Sequence, residues 1–187
     1  MKTKISFTII FTLVMVLLNA SCKNTSGDSQ KGNTNIQKPK VDIHAAAFMG
    51  DVNSMKQHIK VGSDLNVKDQ YGSTPLSIAI TFNRTDVANV LINGGADLSI
   101  KSADGSTALH TAAFFGRKEI VSSLINKGAN KQATNNYGAT PYQSVAGPFS
   151  DVKPIYEQLN KDLGSLGLRL DYDRLEKVRP IIADMLK

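Results

Sequence analysis

Few side chains in this chain could do chemistry: one cysteine, three histidines and scattered carboxylates. Cys22 is the only thiol, so it has no partner for an intrachain disulfide. His44, His58 and His110 are the only imidazoles, and a metal that they shared would have to lie about 2 Å from each ring nitrogen. Whether any of these groups can meet depends on the elements that position them.

Motifs of the common catalytic sites are absent from the sequence. No serine lies in a G-x-S-x-G context, and no phosphate-binding loop of the form G-x-x-x-x-G-K-S/T is present. Asp171 and Asp173 could in principle act as an acid–base pair. Their position instead favours the start of a helix, where carboxylates interact favourably with the helix dipole. We therefore expect no catalytic residue, no cofactor and no metal, and we expect that the protein is not an enzyme.

The N-terminus has the organisation of an export signal. Residues 1–4 are basic, and Ile5–Leu18 is uncharged but shorter than the about 20 residues that a transmembrane helix needs. Small residues then stand directly before Cys22. This end resembles the signal peptide of bacterial lipoproteins, in which such a cysteine becomes the acylated first residue. Asn19 departs from that family, where a leucine is usual.

The resemblance implies a signal peptide over residues 1–21 and a lipid on Cys22 that anchors the exported chain to a membrane, on the periplasmic side or at the cell surface. The alternative is an ordinary signal peptide with an unrelated cysteine. Residues 22–40 are interpreted as the lipidated cysteine followed by a flexible linker, because this polar stretch has too little apolar surface to order itself. Several acyl chains on Cys22 would anchor the protein stably, whereas a single acyl chain gives only marginal membrane binding.

The net charge of +6 is concentrated ahead of the folded part. Residues 1–40 hold six lysines and one aspartate, whereas residues 41–187 hold sixteen basic and fifteen acidic residues. Proteins that bind nucleic acid place a basic patch on the fold itself. We therefore expect no nucleic-acid partner.

From residue 41 onwards the sequence repeats every 33 residues. A glycine-led triplet that ends in threonine, a second glycine and an alanine pair all keep this offset or twice it. The triplets begin at Gly72, Gly105 and Gly138, the second glycines are Gly62, Gly95 and Gly128, and the alanine pairs are Ala46-Ala47 and Ala112-Ala113. A fixed period of this length is typical of a solenoid of helical repeats.

Each repeat carries the start and stop signals of two helices. A threonine accepts the free amides of the first helix, and a proline can follow it at no cost in hydrogen bonds. A second helix with one apolar face ends at a glycine. The predicted caps are Thr74, Thr107 and Thr140, and the predicted end residues are Gly95 and Gly128.

This pattern resembles the ankyrin repeat, in which a β-turn finger precedes two antiparallel helices. The family signature is closest at Thr107–His110. The resemblance implies an all-α repeat solenoid over residues 41–147, which starts with a fingerless repeat at Val41–Leu65. It also implies that His44 and His110, at the same repeat position, hydrogen-bond within the stack. They lie two repeats apart, too far to share a metal.

The repeat pattern fails after Ala146. Residues 148–187 are predicted to form a helical cap over the last repeat, with one helix at Asp151–Leu163 and another at Asp171–Lys187. Pro180 is expected to kink or divide the second helix. A cap ordinarily consists of one helix, so one of the two predicted helices has no assigned role in capping.

The resemblance further implies a concave binding face, built from the finger tips and the exposed end of each first helix. Half of the aromatic residues in the chain fall on this face, and clustered aromatic residues are typical anchors of interfaces. We expect Phe82 and Phe115 to be the exposed rings; the alternative is that the rings pack beneath the fingers as core. The predicted protein-binding residues are Phe48, Met49, Tyr71, Thr81, Phe82, Asp104, Phe114, Phe115 and Tyr137.

Together these features predict a lipid-anchored protein-binding module of the cell envelope. It would hold, stabilise or inhibit another envelope protein through its concave face, and it would be a monomer apart from that partner. The alternative is a structural or regulatory subunit that binds through its C-terminal helical extension.

Overall fold

The computed structural model describes residues 39–187. The predicted signal peptide, Cys22 and all but the end of the predicted linker lie outside the described residues. Within residues 39–187 the chain forms a series of α-helices and one 3-10 helix, Gly164–Leu166. The α-helices are α1 (Ile43–Met49), α2 (Val52–Lys60), α3 (Pro75–Thr81), α4 (Thr85–Asn93), α5 (Ala108–Phe114), α6 (Lys118–Asn126), α7 (Gln143–Ala146), α8 (Phe149–Leu163) and α9 (Tyr172–Leu186).

The first six helices form three stacked pairs that follow the 33-residue repeat. Helices α1, α3 and α5 pack side by side in an inner layer, and α2, α4 and α6 do the same in an outer layer. Ala46, Ala79 and Ala112 occupy equivalent positions and are fully buried, so neighbouring inner helices approach closely. The outer helices fill the space between the layers with larger side chains such as Leu91 and Leu124. The architecture is the expected all-α repeat solenoid.

The predicted threonine caps start the inner helices. Thr74 Oγ1 accepts the backbone N–H three residues further on at 3.2 Å, and Pro75 takes the first helical position. Thr107 and His110 form a reciprocal cap. Thr140 accepts an equivalent N–H at 3.3 Å, although only the four residues of α7 follow as regular helix. The predicted starts of α3 and α5 are confirmed, whereas α7 begins at Gln143, with Tyr142 and not Thr140 directly before it.

Tight turns between the repeats form the fingers. Gly105 has φ +77°, a left-handed conformation, and a Cβ there would lie 2.6 Å from the backbone nitrogen of Asn136 in the next finger. Asn136 N–H donates to the Asp104 carbonyl at 3.0 Å across this gap. Glycine therefore permits both the turn and the close contact between successive fingers.

The fourth repeat is split by an insertion. Helix α7 packs against α5 as an inner helix, but the outer helix that packs against both α7 and α6 is α9. Its buried side chains include Leu175, Ile182 and Leu186. Helix α8 packs mainly against the 3-10 helix and α9. We call residues 147–170, which lie between α7 and α9, the excursion.

Both C-terminal helices differ in detail from the prediction. Helix α8 begins at Phe149, two residues before the predicted Asp151. Pro180 was expected to kink or divide this helix, and it does not divide it, since α9 is one helix over Tyr172–Leu186. Proline removes only one hydrogen bond of the helix ladder, and buried residues on both sides of it hold the helix against the stack.

Candidate protein-binding surface

Four of the predicted binding residues form a row of rings where the inner helices end. Phe48 lies in the last turn of α1, Phe82 follows α3, and Phe114 and Phe115 end α5. The Phe48 and Phe82 rings meet edge-on with centroids 4.7 Å apart, and Phe114 meets Phe115 in the same way at 5.2 Å. Edge-to-face contact is a favourable geometry for aromatic pairs. We call these four residues the phenylalanine row.

The excursion covers one end of the phenylalanine row. Phe115 is 7% exposed and packs with Leu163 and Leu168 of the excursion, while Phe82 and Phe114 border the same cluster. The expectation that Phe82 and Phe115 are the exposed rings was therefore wrong, since Phe115 is buried and Phe82 is half-buried. The cause is tertiary: a segment much later in the chain folds back over these rings, and the local pattern carries no sign of it.

Tyr156 links the excursion to the third repeat by packing and by a hydrogen bond. Its side chain is fully buried, and its hydroxyl donates to the Phe114 carbonyl at 2.5 Å. The same hydroxyl accepts a hydrogen bond from the Arg179 guanidinium at 2.9 Å. Burial raises the pKa of the Tyr156 phenol, so the hydroxyl remains a donor at neutral pH. A buried aromatic ring with a paired hydroxyl gives the excursion one defined position.

The other part of the predicted surface lies at the finger tips. Tyr71, Asp104 and Tyr137 occupy the same position in successive turns, each directly before a glycine with positive φ. Tyr137 is 72% exposed, Asp104 is exposed and Tyr71 is half-buried. We call these three residues the fingertip row. It presents two amphipathic rings with a carboxylate between them.

The Asp104 carboxylate is held ionised and in place by its own finger. It accepts hydrogen bonds from Ser102 Oγ at 2.6 Å, from Ser106 Oγ at 2.9 Å and from Ser106 N–H at 3.1 Å. Burial acts to raise its pKa, but these hydrogen bonds together lower the pKa of Asp104 below its ordinary value. The fingertip row therefore carries a fixed negative charge at neutral pH.

Side chains at equivalent positions tie the fingers to one another. Lys68 Nζ donates to the Lys101 carbonyl at 2.7 Å, and Lys101 Nζ donates to the Thr134 carbonyl at 2.7 Å. Asn136 Nδ2 adds a bond to the Ala103 carbonyl at 3.1 Å. This ladder positions the fingertip row. The ladder was not predicted from the sequence, although Lys68 and Lys101 are 33 residues apart.

The two remaining predicted binding residues lie at the ends of inner helices. Met49 is the last residue of α1 and is 55% exposed. Thr81 is the last residue of α3 and is half-buried, and its carbonyl accepts a hydrogen bond from Arg117 at 3.0 Å. Met49 therefore continues the uncovered end of the phenylalanine row, whereas Thr81 lies near its covered end.

The histidines are structural, as expected. His44 Nε2 lies 3.0 Å from the Val67 carbonyl, and His110 Nε2 lies 2.9 Å from the Ala139 carbonyl, so each links its helix to the next finger. Burial lowers the pKa of His110, which keeps its imidazole neutral at pH 7. Among residues 39–187 no three or more histidine, cysteine, aspartate or glutamate side chains are grouped as metal ligands.

Two arginines, neither of them predicted from the sequence, cap the C-terminal ends of inner helices. Arg84 Nε donates to the Phe48 carbonyl at 2.8 Å, and Arg117 Nε donates to the Ile80 carbonyl at 3.2 Å. They are 33 residues apart, and each places a cation on the last carbonyls of the inner helix one repeat earlier. Their spacing in the repeat was the signal that could have revealed them.

Comparison with known proteins agrees with this architecture. Residues 43–135 match the family model of ankyrin repeats in 3 copies. These helix pairs are ankyrin repeats, a class of protein-binding scaffold that generally has no enzymatic activity. No curated protein matches the chain. Within residues 39–187, no helix combines the length and the apolar character that a membrane span needs.

Proposed function

We propose that this protein binds a partner protein through its fingertip row. The observation that carries the proposal is the exposure of Tyr137, at 72%, on a finger that hydrogen bonds hold to its neighbour. Tyrosine is enriched among the residues that dominate interface energies, because its ring buries much area and its hydroxyl still finds a partner. A rigid platform also lowers the entropic cost of binding.

The chemistry of the fingertip row sets conditions on the partner surface. Asp104 stands between Tyr71 and Tyr137 in the order of the repeats, and its ionised carboxylate is already partly satisfied by its own finger. A surface with hydrogen-bond donors or a cation opposite Asp104, flanked by apolar area for the two rings, fits this arrangement. The exposed Met49 and half-buried Phe48 offer further contact area beyond the fingers.

The test compares two variants of the tagged full-length chain in pulldowns from its own cell envelope. Tyr71→Ser with Tyr137→Ser removes the fingertip rings without touching the core, and we expect capture of the partner to be lost. The matched control is Ile181→Ser, which removes an apolar side chain that is 45% exposed on α9. Equal recovery with both variants would overturn the proposal.

We also propose that the scaffold acts at a membrane surface, held there by lipid on Cys22. The small residues before this only cysteine and the uncharged Ile5–Leu18 segment motivate the proposal. Detergent phase partitioning tests it: the full chain should enter the detergent phase, and Cys22→Ser should remain in the aqueous phase. Ser21→Ala, which keeps a small residue before the cysteine, should behave as the full chain does. Partitioning of Cys22→Ser into detergent would contradict the anchor.

A further inference from the structure

A cleft of about 400 Å³ lies where the excursion and the start of α9 face the loops after α3 and α5. Its lining includes the three guanidinium groups of Arg117, Arg169 and Arg174. The fingertip row lies at the opposite end of the inner helices, which are 7 residues or about 10 Å long. The cleft is therefore separate from the fingertip row, although Phe115 of the phenylalanine row lines it.

Arg117 is the buried cation of this cleft. It is 6% exposed, and its Nε and one terminal nitrogen donate to the carbonyls of Ile80 and Thr81. Burial, with a further contribution from the charge of Arg174, lowers the pKa of Arg117 to about 10. The group is still protonated at neutral pH, and the charge of Arg174 in the same cleft repels it.

The acidic residues that line the cleft, Glu119 and Asp171, form no ion pair with these arginines in the described part of the chain. Asp171 accepts the backbone N–H of Arg174 at 3.0 Å as the N-cap of α9. Glu119 lies in the first turn of α6. The ion pairs found in the described part of the chain join other residues and include none of the three arginines. The Ile80 and Thr81 carbonyls satisfy part of Arg117, but neither Arg117 nor Arg174 has an ion-pair partner within residues 39–187, so an anion in the cleft would offset the repulsion between the two cations.

Arg174 and Arg169 both keep guanidinium N–H donors that can bind an anion. Arg174 is exposed, and its side chain makes no hydrogen bond within residues 39–187. Arg169 is exposed as well, and one terminal nitrogen donates to the Gly164 and Leu168 carbonyls, which fixes its guanidinium on the excursion. Guanidinium forks match the geometry of carboxylate and phosphate oxygens.

We infer that this cleft is an oxyanion-binding site, in which Arg117 and Arg174 hold a carboxylate or phosphate group and Arg169 borders its entrance. The site joins the third repeat to the excursion, because Arg117 belongs to one and Arg169 to the other. Occupancy would offset the repulsion between Arg117 and Arg174 and so stabilise the packing of the excursion on the third repeat. The same oxyanion chemistry can come from a free phosphate or from an acidic side chain of a peptide.

The experiment titrates the full-length chain with two probes, inorganic phosphate and a blocked Glu-Glu dipeptide, by calorimetry at constant ionic strength. Arg174→Gln removes an exposed guanidinium at the cleft, and Lys177→Gln removes an exposed cation elsewhere on α9. We expect saturable binding that is weakened about tenfold by Arg174→Gln and is unchanged in Lys177→Gln. The probe that binds more tightly identifies the source of the oxyanion.

Three results would overturn the inference. They are the absence of saturable binding of either probe, unchanged affinity in Arg174→Gln, and equal weakening by Lys177→Gln, which would indicate a non-specific charge effect. Thermal unfolding without probe shows that both variants are folded. Because neither variant alters the fingertip row, a failure here leaves the partner-capture test unaffected.

Discussion

The edge of the stack that carries the fingers, here called the finger edge, follows the 33-residue repeat without interruption, whereas the C-terminal end of the molecule departs from it. At the finger edge, unbroken 33-residue spacing places Tyr71, Asp104 and Tyr137 in register at the tips of successive turns. At the C-terminal end, the excursion interrupts the spacing and brings Tyr156 back onto the rings of the third repeat. Regular repetition thus presents side chains outward, whereas the interruption buries them. We therefore propose that the partner protein binds the regular edge, and that the irregular end stabilises the stack and lines the oxyanion cleft.

The largest expected effect comes from removing α9. Ending the chain after Leu170 deletes the outer helix of the split repeat and uncovers the core that Val178, Ile182 and Leu186 now seal. Each large buried side chain lost costs about 2–5 kcal/mol, so urea denaturation should show loss of the cooperative transition of the repeats. A truncated chain that unfolds at the original urea concentration would contradict this role and would favour α9 as a separate binding extension.

A smaller loss is expected from Gly116→Ala, at the contact between the third repeat and α9. Gly116 has φ +64°, and a Cβ there would lie 2.7 Å from Leu175 Cδ2 and 2.9 Å from Val178 Cγ1. Backbone strain and crowding together should lower the free energy of unfolding by about 2–4 kcal/mol.

The matched control for that variant is Gly50→Ala, at the equivalent position of the first repeat. Its φ is +78°, but a Cβ there would meet only the flexible Arg84 side chain, at 3.0 Å. We expect a cost of about 1–2 kcal/mol from backbone strain alone. Equal losses in the two variants, measured by urea denaturation, would show that α9 does not press on Gly116.

Tyr156→Phe should lower the free energy of unfolding by about 1–3 kcal/mol. The change removes the hydroxyl that joins the Phe114 carbonyl to the buried Arg179 guanidinium, and so leaves both groups short of a partner. Tyr172→Phe is the control, since its half-buried side chain makes no hydrogen bond within the described residues. Thermal unfolding of both variants measures the difference, and a loss in Tyr172→Phe as large as in Tyr156→Phe would refute the account.

The same tyrosine predicts a pH dependence. Burial raises the pKa of Tyr156 in the folded chain above its ordinary value of 10.0. The unfolded chain then loses this proton first, so stability is unaffected below pH 10 and falls as the pH rises above it. In Tyr156→Phe this part of the alkaline loss should be absent. Parallel stability curves above pH 10 for the two proteins would contradict the buried hydroxyl.

The smallest effect is expected at the finger edge. Lys101→Met removes one bond of the finger ladder, to the Thr134 carbonyl at 2.7 Å, from an exposed side chain. The free energy of unfolding should change by about 0.5 kcal/mol or less, but amide exchange in the following finger should accelerate. Lys60→Met, another exposed lysine, is the control. Unchanged exchange in Lys101→Met would show that the ladder does not order the fingers.

The repeats were predictable because their signals are local. The cap at Thr74, the turn at Gly105 and the alanine contacts each depend on residues within a short stretch of the chain. Their repetition at a fixed offset made them visible in one sequence. The histidine bonds followed from the family resemblance and are confirmed at His44 and His110. Arg117 was missed because an isolated arginine resembles any surface cation until its place in the repeat is compared.

The covered part of the candidate surface was not predictable in the same way. Phe115 and its neighbours have the spacing of an exposed ring cluster, and only the return of Leu163 and Leu168 buries them. That return depends on contacts between residues far apart in the chain, which no local period encodes. The split of the fourth repeat has the same origin, because α9 takes the outer position only after the excursion has been completed.

The central claim is that a partner contacts the fingertip row and not the C-terminal end. Site-specific photo-crosslinking in the cells that produce the protein tests it most directly, with a benzoylphenylalanine replacing either Tyr137 or Ile181 in the full chain. Both side chains are exposed, at 72% and 45%, so either position can report a neighbour. The account predicts a crosslinked partner from position 137 and none from position 181. A crosslink from position 181 alone would contradict it and would move the binding surface to α9.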